Sequence, residues 1–107
     1  MQIQLLITDD CPHNERARAA FRQAMEASGV RAYVEEIRIL NMEQARVLGL
    51  AGSPTVLING RDIAPAGPPS LGCRTYEAEG GQTRQWPDVA TLIWALEAAE
   101  APIACCG

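Results

Sequence analysis

Aromatic side chains are scarce: two Trp, two Tyr and one Phe among 107 residues. A platform for stacking unpaired bases needs several exposed rings, and this chain has few to give. No basic run occurs, and the formal net charge is −4, so a polyanion is not steered towards the surface. No nucleic-acid partner is expected. Long apolar runs are also missing. The stretch nearest the N-terminus stops at Asp9 and Asp10, far short of the roughly 20 residues that span a bilayer, so no membrane partner is expected. The start has no basic region followed by a small-residue cleavage site, which argues against a secretory leader and for a cytoplasmic location. No glycine-rich loop follows a strand, which disfavours a nucleotide cofactor. No Cys/His spacing matches a closed zinc site.

The apolar fraction of 48% and charged fraction of 21% are those of an ordinary globular chain. At this length residues 1–107 form one domain with a modest core. The four cysteines are Cys11, Cys73, Cys105 and Cys106. In a reducing cytosol such residues are catalytic, redox-active or metal-binding more often than structural. Cys105 and Cys106 are adjacent, and a bond between neighbours would be strained.

Punctuation along the chain defines the elements. Residues 2–8 are apolar and partly alternating, which predicts a buried strand. Ala17, Ala20, Phe21, Ala24 and Met25 recur at helical spacing after Cys11, with Pro12 in the first turn and Ser28-Gly29 as the stop. The Cys11 thiol is therefore expected at a helix N-terminus, where free N–H groups and the dipole favour a thiolate. Residues 32–39 predict a second, more solvent-facing strand. Asn41 is placed to cap a short helix over 42–48 with Met42, Ala45 and Leu48 inward, ended by Gly49. Thr55 to Ile58, the hairpin signal Asn59-Gly60, and Arg61 to Ala64 predict two antiparallel strands. Residues 66–86 read as a long loop containing Cys73. Asp88 caps a last helix with Val89, Leu92, Ile93 and Leu96 on one face, and residues 101–107 form a tail. Trp86 and Trp94 are expected in the core.

The result is α/β: βαβαββα, a four-stranded mixed sheet with helices on both faces. A right-handed first crossover makes strands one and two parallel. That order, with Cys11-Pro12-His13-Asn14 at the first strand-to-helix turn, Gly52-Ser53-Pro54-Thr55 opening the third strand and the Asn59-Gly60 hairpin, resembles the thioredoxin/glutaredoxin-like superfamily. The resemblance covers most of the chain. It implies a thioredoxin-like fold and a cis Pro54 beside the reactive cysteine. It also implies that Ser53, Pro54 and Thr55 form the substrate-binding turn, and that Cys11 performs thiol-disulfide exchange. Asn14 stands where dithiol members have their second cysteine, as in monothiol members.

A resolving thiol must then come from elsewhere: Cys73, or a small thiol such as glutathione as co-substrate. Strand direction favours Cys73, because the loop after the fourth strand emerges at the edge that carries Cys11. The last helix runs away from that edge and carries Cys105 and Cys106 with it. His13 and Asn14 are the candidate thiolate-tuning residues; Asp9 and Asp10 oppose a thiolate electrostatically. Arg61 and Arg74 are expected at the surface, where a glutathione carboxylate could meet them. The leading expectation is a thiol-disulfide oxidoreductase acting on protein or low-molecular-weight thiols and disulfides. Two alternatives stand beside it. One is a soft-metal binding or transfer protein using Cys105 and Cys106, since paired thiolates suit soft ions and the tail resembles the cysteine pair of mercuric reductases. The other is a thioredoxin-like binding module without chemistry.

Overall fold

The computed structural model describes residues 1–64, 67–77 and 81–100. Eleven elements follow in chain order. They are β1 (Ile3–Ile7), α1 (Asn14–Ser28), β2 (Val34–Arg38), α2 (Met42–Leu48), β3 (Ala51–Ser53) and β4 (Thr55–Ile58). Then come β5 (Arg61–Asp62), β6 (Ser70–Cys73), β7 (Tyr76–Glu77), β8 (Thr83–Arg84) and α3 (Val89–Glu100). The central sheet is four-stranded and mixed, in the order β2-β1-β4-β5. β1 runs parallel to β2 and antiparallel to β4, and β4 to β5 is an antiparallel hairpin.

Strand alternation sorts β1 onto two cores. Ile3, Leu5 and Ile7 face α1 and α3, where they meet Ala17, Ala20, Phe21, Ala24, Leu92, Ala95 and Leu96. Small alanines on the buried face of α1 let the two helices approach each other closely. Leu6 points the other way and packs with Ile39, Ala45 and Leu50 beside α2. Helices therefore cover both faces. Burying each large aliphatic side chain contributes about 1.5–3 kcal/mol, and Leu5, Leu6, Leu92 and Leu96 are all essentially inaccessible.

The capping residues act as the sequence suggests. The Asn41 side chain accepts from the Gln44 N–H at 2.9 Å, and Asp88 accepts from the Thr91 N–H at 2.9 Å. Asn59 (φ 53°) and Gly60 (φ 81°) both adopt the left-handed conformation that a two-residue hairpin of this twist requires.

Several expectations are corrected. α1 begins at Asn14, with His13 as an N-cap that makes no side-chain capping bond, so Cys11 precedes the helix rather than opening it. The chain needs Pro12 and His13 to turn from β1 into the helix axis. Met42 and Leu48 of α2 are exposed; in so short a helix only Ala45 is fully buried. Trp94 is 70% exposed on the outer face of α3. The stretch read as a loop over 66–86 holds three short strands: β6 pairs in parallel with β3, and β7 pairs with β8. Among the described residues no helix is long and apolar enough to cross a membrane.

Candidate active site around Cys11 and the Ser53-Pro54-Thr55 turn

Two segments meet at one end of the sheet: the turn after β1 and the short bridge from β3 to β4. Ser53 joins them. Its hydroxyl accepts from the buried Thr8 N–H at 3.1 Å. Thr8 in turn accepts through its carbonyl from the Cys11 N–H at 3.2 Å and from the Asn14 side-chain amide at 2.9 Å. The Cys11 thiol donates to the Ser53 carbonyl at 3.6 Å. The Ser53–Pro54 peptide bond is cis, as the resemblance implies. Ser53, Pro54 and Thr55 are all buried, and Cys11 is only 9% exposed.

The other side of Ser53 is occupied by β6. The Arg74 N–H donates to the same Ser53 carbonyl at 3.1 Å, and Ser53 lies opposite Cys73 in the β3–β6 register. Ser53 is thus flanked by both cysteines: the Cys11 sulfur on its carbonyl and Cys73 on the neighbouring strand. Cys73 is exposed and free, and Cys11 is buried and free. The step from Ala51/Ser70 to Ser53/Cys73 contains a register irregularity, which adds one residue to β6 before Cys73.

Arg74 holds this seam together, contrary to the surface role expected from the sequence. Its side chain is 6% exposed and forms a forked pair with Asp62, at 2.7 and 2.8 Å. It also donates to the Thr55 hydroxyl at 3.1 Å and the Ala64 carbonyl at 3.3 Å. The guanidinium lies 4.7 Å from the centroid of the Tyr76 ring. Tyr76 donates its hydroxyl to the Pro54 carbonyl at 2.6 Å. Burial pushes the Tyr76 phenol far above its ordinary range, and the Asp62 charge adds to this against the opposing effect of Arg74. Thr55 accepts from the Ala51 N–H at 3.3 Å and donates to the Gly52 carbonyl at 2.6 Å. Gly52 has φ of 100°, and a Cβ there would stand 3.0 Å from the Arg74 Cβ. Glycine is what permits the close crossing.

The two candidate tuning residues are engaged elsewhere. The His13 ring packs on Trp86 with centroids 5.7 Å apart. Asn14 uses its amide N–H on Thr8, and its Oδ1 is buried without a partner. Arg61 is exposed. At the end of β1 a cleft of about 260 Å³ is lined by Thr8, Asp9, Asp10, Ile39, Leu40 and Leu71. Asp9 there is paired with Arg38 at 2.7 Å. Cys105 and Cys106, the candidate soft-metal ligands, lie outside the described residues. Among the described residues no cluster of three or more His, Cys, Asp or Glu is arranged to hold a metal ion.

Sequence reasoning missed Asp62, Arg74 and Tyr76 as the support of the site. The available signal was the spacing Cys73-Arg74-Thr75-Tyr76, in which the alternate positions Arg74 and Tyr76 turn inward together. No family model, curated protein or solved structure matches this chain.

Proposed function

We propose that this protein is a thiol-disulfide oxidoreductase of thioredoxin-like kind, in which Cys11 and Cys73 cycle between dithiol and disulfide. The observation that carries the reading is the convergence of both cysteines on Ser53. Cys73 is paired with Ser53 across the β3–β6 register and Cys11 is bonded to the Ser53 carbonyl, so one residue is the shared neighbour of both thiols. The element order and the cis bond after Ser53 support the thioredoxin-like assignment.

Exposure assigns the roles, and it reverses the expectation that Cys11 attacks and Cys73 resolves. Thiol-disulfide exchange requires access to the attacking sulfur, and Cys73 is the exposed member. The Cys73 thiolate attacks a substrate disulfide R–S–S–R′, forming a mixed disulfide and releasing R′S⁻. The Cys11 sulfur, deprotonated to solvent or to the leaving thiolate, then attacks the Cys73 sulfur. The second thiolate leaves, and the Cys11–Cys73 disulfide remains. The substrate is reduced by two electrons and the protein oxidised by two. A low-molecular-weight thiol such as glutathione restores the dithiol. The exposed Leu40 and Leu71 beside the cleft give a disulfide-bearing substrate an apolar surface to rest on.

The test uses a Cys105→Ser/Cys106→Ser background, which removes the tail thiols. Turnover of a mixed disulfide with glutathione is followed through glutathione oxidation. Cys73→Ser abolishes turnover, whereas Cys11→Ser accumulates a mixed disulfide on Cys73 that mass spectrometry detects. Turnover unchanged in both variants sinks the proposal.

A further inference from the structure

All nine basic side chains apart from the single histidine are arginines. Arg18, Arg38, Arg46 and Arg74 are paired with carboxylates. Arg16 and Arg84 have no carboxylate partner among the described residues, yet they come together from distant parts of the chain. Their guanidinium carbons lie 4.9 and 5.9 Å from the centroid of one indole, that of Trp86. Each contact is a modest attraction, about 0.5–1 kcal/mol at an exposed site. Bringing two like charges to one ring works against it. An anion between the forks relieves that repulsion.

Space for one is present. Arg16, Arg84 and Trp86 wall a cleft of about 500 Å³, a volume typical of small-molecule sites. Its two acidic groups are engaged: Glu15 is paired with Arg18, and Asp88 caps α3 at the Thr91 N–H. The rest of the lining is Gln23 and the small apolar side chains of Ala19, Ala20 and Val89.

We propose that this cleft binds a small organic dicarboxylate, with one carboxylate on each arginine and an apolar spacer over the alanines. A guanidinium fork matches a carboxylate in two-point fashion. A single dense dianion such as phosphate fits less well. The helix start nearest the cleft already has an N–H occupied by Asp88, and Glu15 and Asp88 repel concentrated negative charge. The site stands whether or not Cys11 and Cys73 exchange disulfides.

Trp86 itself reports on the site. In full-length protein carrying Trp94→Phe, a change at an exposed position, Trp86 is the sole indole. Glutarate is titrated at constant ionic strength set by chloride, with acetate and inorganic phosphate as comparison arms. Glutarate produces a saturable change in Trp86 emission, at a midpoint at least about tenfold below that of acetate. Arg16→Gln and Arg84→Gln each raise the midpoint about tenfold, equivalent to ~1.4 kcal/mol, while the protein stays folded, with a melting temperature within about 8 °C of the parent because both residues are exposed. Cys11→Ser leaves the midpoint unchanged, which separates this test from that of the thiol chemistry. A linear response, equal midpoints in the arginine variants, or tighter saturation by phosphate overturns the proposal.

Discussion

Replacing Arg74 with methionine keeps most of the stem and removes the guanidinium. The change deletes two bonds to Asp62, one to the Thr55 hydroxyl and one to the Ala64 carbonyl. It leaves the Asp62 carboxylate, only 15% exposed, without its counter-charge. Removing one partner of a buried pair costs about 3–5 kcal/mol, mostly because the orphaned charge remains desolvated. A domain of this size has total stability of about 5–15 kcal/mol, so Arg74→Met removes a large fraction of it. Arg74→Met/Asp62→Leu removes the orphan charge and recovers most of the loss, to within about 1–2 kcal/mol of the parent. Urea unfolding followed by circular dichroism measures all three proteins, and an unchanged slope shows that stability rather than compactness has changed. A single variant that loses less than about 1 kcal/mol, or a double variant no more stable than the single, refutes the claim that this pair organises the seam.

Three further outcomes follow from the same geometry. Gly52→Ala meets both a left-handed backbone and the Arg74 Cβ; a loss of about 2 kcal/mol or more is expected in the same unfolding assay. Tyr76→Phe strands the Pro54 carbonyl and costs about 1–3 kcal/mol. Because the Tyr76 phenol is raised in the folded state, the folded protein holds its proton more tightly than the unfolded chain. That contribution is complete below the ordinary phenol range near about pH 10 and declines as pH rises above it. Alkaline difference spectroscopy accordingly shows the Tyr76 ionisation only on unfolding, and Tyr76→Phe removes that step. With the tail cysteines replaced by serine, an alkylating reagent such as iodoacetamide, which leaves no disulfide for a second thiol to attack, modifies Cys73 rapidly and Cys11 slowly, and denaturant equalises the two rates.

Much of the frame was legible because local signals carry it. Gly29, Gly49, Asn59-Gly60 and Asp88 each mark a boundary through backbone conformation or capping, and the boundaries stand where those residues do. The neighbourhood of Cys11 and Ser53 was legible only through the resemblance, since nothing local links positions 42 residues apart. The β3–β6 seam was not legible. Ala51-Gly52-Ser53 and Ser70-Leu71-Gly72-Cys73 are short, small and irregular, so neither shows strand periodicity. Arg74 reads as surface because arginine is rarely buried unless paired, and its partner Asp62 lies across a hairpin the pattern does not connect to it. The late start of α1 was hidden by Pro12, which usually sits inside the first turn but here completes the turn before it. Trp94 lies on the solvent side of α3 because Leu92, Ala95 and Leu96 already fill the face towards α1.

The proposed redox cycle requires that Cys11 and Cys73 form one pair across Ser53. It is tested most directly by mapping disulfides in the Cys105→Ser/Cys106→Ser protein after equilibration with oxidised glutathione. The expected product is a monomer two mass units lighter than the reduced chain, with the proteolytic fragments containing Cys11 and Cys73 joined and no glutathione retained. Glutathione held stably on either cysteine, or a bridge found only between chains, would contradict it.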